Sequence, residues 1–179
     1  MNSIFLDSKV PTTWQEVKGI ITTRAIQIIL ISTVAMLMCQ IIKIIIYSIR
    51  YKKGMWRMFI STGGFPSSHS GLCTSLCIAL GMFQYHDLDG QLDWSFAVAC
   101  VVTMVIIHDA MGVRLEASKH AKILNNLADA QGLSEEEKLA LGYGKKGHLK
   151  EMLGHKGIEV LGGVAIGAIT AIVGVLICL

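Results

Sequence analysis

Charge is scarce in this chain. Of its 179 residues only 16% are charged while 53% are hydrophobic, and the mean hydropathy is +0.56. So small a supply of charge excludes an ordinary soluble protein and predicts a single integral membrane domain covering residues 1–179. No cleavable leader is expected either, since MNSIFLDSKVPTTW has an early acid and no long apolar core; this expectation fits a bacterial plasma membrane. The five cysteines, at 39, 73, 77, 100 and 178, are scattered through apolar segments. That scatter excludes a disulfide framework and offers no paired metal-ligand spacing. Cys73 and Cys77 share a helix face and read as packing. No internal repeat, low-complexity tract or linker divides the chain, and no nucleic-acid partner is expected.

What is present is a set of apolar runs. The stretch from 25 to 49 carries one charge, Lys43, and at about 1.5 Å per residue it exceeds a hydrocarbon core roughly 30 Å thick. Further runs near 68–85, 92–112 and 157–179 predict an all-α polytopic transmembrane bundle of about four spans. The second run is short unless protein encloses part of it. In the last run Gly163 and Gly167 stand four apart, a spacing that suits close helix contact within the subunit.

Arg50, Lys52, Lys53 and Arg57 follow the first run, the loop HDLDGQLD has no lysine or arginine, and the segment from 114 to 156 carries many. The positive-inside rule puts the first and third of these connections in the cytoplasm and both termini outside, with Lys9, Lys18 and Arg24 pulling the other way. The first twenty residues are expected along the membrane interface. Within the cytoplasmic insertion, near 114–156, LEASKHAKILNNLADA has helical apolar spacing. Ser134 and Glu137 form a capping box opening a short helix that ends at Gly142. The basic GYGKKGH reads as a solvated connection or a contact with anionic headgroups. The acids at 87, 89 and 93 resemble part of a calcium loop but lack its remaining ligands, and read as a polar turn.

Three polar stretches interrupt this pattern. GGFPSSHSG, residues 63–71, leads into an apolar helix, and a helix start with serines and His69 around it favours an anion such as phosphate. A simple capped turn, with Pro66 in the first helical turn and a serine as cap, accounts for it equally well. HDAMGVR, residues 108–114, brings His108, Asp109 and Arg114 to the end of the third run. GHKGIEVLGG, residues 154–163, sets His155 and Glu159 four apart, on one face of a helix. By the charge pattern all three stretches meet at the cytoplasmic face, where Lys43 and Arg50 also lie. Cations, two imidazoles and a carboxylate in one place match phosphoryl transfer.

Together, STGGFPSSHSG, HDAMGVRLEASKHAKILNN and LGHKGIEVLGGVAIG resemble the divergent branch of the type-two phosphatidic acid phosphatases, over most of the chain. The parent superfamily carries a lysine, six residues, then Arg-Pro; Pro-Ser-Gly-His; and Ser-Arg, five residues, His, three residues, Asp. The resemblance implies that Lys43 and Arg50 answer to the first motif, with Tyr51 in place of proline. Pro66, Ser67, Ser68 and His69 answer to the second, with Ser68 where glycine is usual. His155 and Glu159 answer to the end of the third, glutamate standing for aspartate; its arginine is absent at the usual distance, and Arg114 is the substitute.

In that family's mechanism His155 would be the nucleophile, Glu159 would orient it, His69 would protonate the leaving group, and Lys43, Arg50, Ser67, Ser68 and Arg114 would bind phosphate. Asp109 has no counterpart in the parent motifs: it would pair with or orient a basic residue at the site, or equally form a plain helix-terminal salt bridge, and a magnesium ion held by Asp109 with the substrate is a further alternative. The activity implied is hydrolysis of a lipid phosphate or diphosphate in the phospholipid bilayer, without a required metal or other cofactor. A non-catalytic protein that binds or transports an anionic lipid or phosphate is the competing expectation. With fewer spans than the parent enzymes to enclose a pocket, the chain is expected to form a homodimer.

Overall fold

The computed structural model describes residues 23–54, 59, 63–144, 147–151 and 153–179. The expectations for the first twenty residues, Arg57, Lys145 and Lys146 lie outside them. The described residues form six helices: α1 (Arg24–Tyr51), α2 (Ser68–Asp87), α3 (Trp94–Met111), α4 (Val113–Ala130), α5 (Glu135–Ala140) and α6 (Gly157–Cys178). There is no strand among them. The fold is therefore all-α.

Arg24, which opens α1, binds Asp87 at the end of α2 at 2.8 Å and reaches the Cys178 carbonyl at the end of α6 at 3.4 Å. α1 thus runs antiparallel to α2 and α6, which are parallel to each other. At the opposite end the C-terminal half of α1, the start of α2, the end of α3 and the start of α6 come together. α2 is the centre of the bundle, packed most extensively on α6, then on α1, then on α3.

Among the described residues, three helical stretches are long and apolar enough to cross a membrane: Arg24–Tyr51, Gly157–Cys178 and Trp94–Ala130, whose apolar part is α3. The fourth expected span, α2, does not meet that standard alone. It carries Ser68, His69, Ser70, Ser75 and Gln84, and it is the helix the others enclose.

Small residues set the packing. Between helices in a bilayer, close approach and van der Waals contact replace the hydrophobic drive available in water. On α6, Val160, Gly163, Gly167, Ala171 and Val175 are buried, one stripe at three- and four-residue spacing. A Cβ on Gly163 would strike the Ser67 carbonyl, and one on Gly167 the Gly71 carbonyl. The glycine pair therefore brings two backbones together inside the subunit. Away from the site a core of Ile28, Ile31, Ala79, Phe83, Ala171 and Val175 closes the bundle, with the Arg24 guanidinium 4.4 Å from the Phe83 ring centre.

Two of the acids of HDLDGQLD act structurally: Asp87 binds Arg24, and Asp93 caps α3 by accepting from the Ser95 amide at 2.7 Å. The capping box at Ser134 and Glu137 is present and opens α5, and Gly142 follows with a positive φ of 87°.

Candidate functional site

The buried face of α1 runs Ile28, Ile31, Ser32, Ala35, Cys39, Lys43. Lys43 occupies the next position of a small and apolar stripe, so helical register alone carries a charged side chain into the protein, where its exposure is 0%. Its charge acts on Glu159, His69 and His155. Ionisable groups placed this deep in spanning helices are costly and tend to mark function. Arg50, two turns further on, is exposed in the last turn of α1.

α2 begins at the serine-rich stretch. Ser67 is the N-cap, with φ −73° and ψ 114°; its hydroxyl accepts from the Ser70 amide at 3.3 Å and from the Ser70 hydroxyl at 3.0 Å. Pro66 therefore precedes the cap instead of occupying the first helical turn, because the cap must hold an extended backbone and present its side chain to the third residue on. The amides of Ser68 and His69 have no intrahelical acceptor by helix geometry. Ser67 and Ser68 are buried, and the Ser67 amide donates to the Glu159 carbonyl at 2.8 Å. That bond locks the serine turn to the start of α6.

His155 sits just before α6, 1% exposed. Its amide donates to the Ala110 carbonyl at 2.9 Å, which fixes the loop to the end of α3. Its Nδ1 lies 3.0 Å from the Glu159 carboxylate. With Glu159 ionised the carboxylate accepts, so Nδ1 holds the proton and Nε2 keeps its lone pair. Nε2 is buried without a hydrogen-bond partner. Burial pushes the His155 imidazole below its ordinary range; the Glu159 bond opposes this, while the charges of Lys43 and Arg114 add to it. The His69 and His155 ring centres are 6.2 Å apart.

Arg114, at the start of α4, donates through Nε to Asp109 at 2.5 Å, and both side chains are partly exposed. The Arg114 charge acts on His69 and His155. The structure thus gathers Lys43, Ser67, Ser68, His69, His155 and Glu159 with Arg114 and Asp109 at the rim, and leaves Arg50 at the exposed helix end. No group of three or more His, Cys, Asp or Glu side chains suited to a metal occurs among the described residues.

Other residues hold the site in place. Asn125 on α4 is buried; its amide nitrogen donates to the Leu149 carbonyl at 3.0 Å and the Glu151 carboxylate at 2.7 Å, and its oxygen accepts from the Leu149 amide at 2.8 Å. Ser118 bonds the Glu151 carbonyl. These contacts clamp the loop that leads to His155. The available signal was the register Ala121, Asn125, Ala128, an asparagine on the alanine face of an amphipathic helix.

A small cavity of about 190 Å³, lined in part by Tyr47, Gly64, Ser118, Glu151, Lys156 and Glu159, reaches Glu159 from the α4 side. A larger apolar cavity of about 650 Å³, bordered by Gly81, Tyr85 and Leu179, lies at the opposite end of the bundle, away from these groups.

An uncharacterized membrane protein of Bacillus subtilis, YuiD, is 37% identical over 149 residues, which is 81% of this chain and 91% of that relative. No solved structure matches the chain. The sequence pattern described as the Divergent PAP2 family matches residues 25–170. That stretch contains every residue of the site from Lys43 to Glu159, and the chain belongs to the Divergent PAP2 family.

Proposed function

We propose that this membrane protein is a phosphatase that hydrolyses a lipid phosphate or diphosphate through a phosphohistidine intermediate. The observation that carries the reading is His155: a buried imidazole whose Nδ1 is held by Glu159 and whose Nε2 has no partner, one ring away from His69. Such an arrangement prepares one nitrogen as a nucleophile and fixes its tautomer.

In this reading the Nε2 lone pair attacks phosphorus, the bond from phosphorus to the lipid oxygen breaks, and His69 supplies the proton to that oxygen. Water then attacks phosphorus, giving its proton to His69; the phosphorus–nitrogen bond breaks, and phosphate leaves with His155 restored. Lys43, Arg114, the Ser67–Ser68 turn and the first amides of α2 stabilise the phosphoryl oxygens. Arg50, exposed in the last turn of α1, is counted with them only by its place in the family motif. Asp109 holds Arg114 at the rim, where a phosphate competes with the Asp109 carboxylate for the guanidinium. The chemistry needs no metal.

The lipid's apolar part stays in the bilayer while its headgroup enters, at the cytoplasmic face of a bacterial plasma membrane. Phosphate release from a panel of lipid phosphates and diphosphates, by the purified protein in detergent, tests the reading. Release that disappears in His155→Ala and His69→Ala, and persists with chelator, is expected. A His155→Ala protein as active as the parent overturns it, and tight lipid binding without release by the parent supports a binding or transport protein instead.

A further inference from the structure

α4 presents two different faces. Ala121, Asn125 and Ala128 are buried, turned toward the loop at 149–151 that Asn125 clamps. At about 100° per residue, Ile123 and Leu127 fall on the far side, and Leu124 and Val113 on the flank that joins it to the buried face. They are 63%, 51%, 45% and 70% exposed in that order. A soluble surface rarely keeps such a row of large aliphatic side chains in water, and the loop at 149–151 is held on the Asn125 face.

The chain's own path indicates what covers this one. α3 is long and apolar enough to cross a membrane, and one residue, Gly112, separates it from α4. Gly112 has φ −97° and ψ −97°, which departs from helical values, so the chain turns there. α4 therefore begins where a spanning helix leaves the membrane. The turn makes an elbow with a cavity of about 380 Å³, lined by Met104, Val105, His108 and Asp109 of α3 and by Val113 of α4. Val113, the first residue of the exposed row, thus shares a hollow with the outward face of the span. That places the α4 row on the side of the molecule that the bilayer already occupies beside α3.

We propose that α4 lies in the plane of the membrane surface, with Val113, Ile123, Leu124 and Leu127 immersed in phospholipid and the Gly112 elbow seating a lipid molecule. The physics is that of an interfacial amphipathic helix: its apolar side enters the boundary between headgroups and chains while its polar side remains hydrated or bound to protein. Lys119 flanks the row at the Ile123 edge and reaches the headgroup level along its aliphatic stem. Asp109 and Arg114 stand at the elbow, so a seated lipid brings its headgroup beside the pair. The proposal concerns where lipid contacts the chain and does not depend on hydrolysis.

The test uses the full chain in phospholipid nanodiscs, with photoreactive benzoylphenylalanine placed singly at Leu124, Leu127, Lys122 or Asn126. Each chain is first checked for monodisperse elution, with Ile123 and Val113 as replacement positions. Irradiation followed by mass spectrometry is expected to give phospholipid adducts at Leu124 and Leu127 several-fold above those at Lys122 and Asn126. Chain-to-chain adducts at Leu124 and Leu127 in place of lipid adducts overturn the proposal in favour of a second copy. Adducts no more frequent there than at Asn126 overturn it in favour of a solvent-exposed helix.

Discussion

The two ends of the helix bundle are each closed by a carboxylate bound to a cationic or protonatable partner, in opposite settings. At one end Arg24 meets Asp87 at 2.8 Å with the two side chains 36% and 35% exposed. At the other His155 meets Glu159 at 3.0 Å with 1% and 16% exposed. An exposed pair is screened, and its loss changes little. A buried carboxylate and imidazole instead decide which nitrogen keeps its lone pair, and that decision matters only if chemistry follows. The helices also differ along their length: apolar side chains meet at the Arg24 end, and backbones meet through glycine at the site end.

The largest effect should come from removing the charge at the buried end while keeping its shape. Glu159→Gln is expected to lower phosphate release by about 10²- to 10⁴-fold, on the scale seen when an orienting carboxylate is neutralised beside a catalytic histidine. Its thermal unfolding in detergent should stay close to that of the parent, since an amide oxygen can still accept from Nδ1. Unchanged release would make the buried pair as inert as the exposed one.

Next in size is a contrast between glycines of the same helix. A Cβ at Gly167 meets the Gly71 backbone, which cannot rotate away. At Gly174 a Cβ meets only the Ile31 side chain, at 2.9 Å. Gly167→Ala should therefore destabilise by about 1–3 kcal/mol or more, the usual range for overpacking, and Gly174→Ala by clearly less, read as unfolding temperatures in detergent. Equal losses would show that the contact of α6 with α2 at Gly167 and its contact with α1 at Gly174 yield alike.

Much of this was legible in the sequence, for reasons that also mark where legibility stopped. Apolar runs and their length gave the helices, because a bilayer demands both, and the turn chemistry of Ser134 and Glu137 placed a small helix correctly. His155 and Glu159 could be paired because four-residue spacing on a helix start is local information. α2 was harder to read as a span, since its burial comes from neighbours and not from its own composition. Asp109 could not be matched to Arg114, nor Asn125 to the loop at 149–151, because those contacts depend on how the chain turns at Gly112 and returns to α6. The burial of Lys43 followed from its register with Ala35 and Cys39, but only after the buried side of α1 was known.

The pH dependence sharpens the comparison further. Burial lowers the affinity of His155 for a proton, so the folded protein keeps this imidazole neutral at pH values where the unfolded chain, titrating near 6.5, has begun to charge. Its contribution to stability is fully present above that ordinary value and is lost as pH falls through the lowered one. A nucleophile must be neutral as well. The acid limb of kcat/KM assigned to His155 should therefore lie below the ordinary histidine range, and Glu159→Gln should move it lower still by removing the group that favours the charged form. A limb at or above 6.5 would count against His155 as the group being titrated.

The smallest effect is expected at the exposed end. Asp87→Asn keeps the shape of the side chain and leaves Arg24 over the Phe83 ring, bonded to Gln27 at 3.1 Å, while removing the charge partner. Unfolding temperature should shift only slightly, and less in high salt than in low salt, because the pair is open to counter-ions. Phosphate release should not change, since Asp87 sits where α2 ends and the candidate nucleophile lies at the start of α6, at the opposite end of the bundle. A substantial loss of release in Asp87→Asn would mean that the Arg24 clasp sets the relative height of α1, α2 and α6, and so positions Lys43 against His155 from the far side of the membrane.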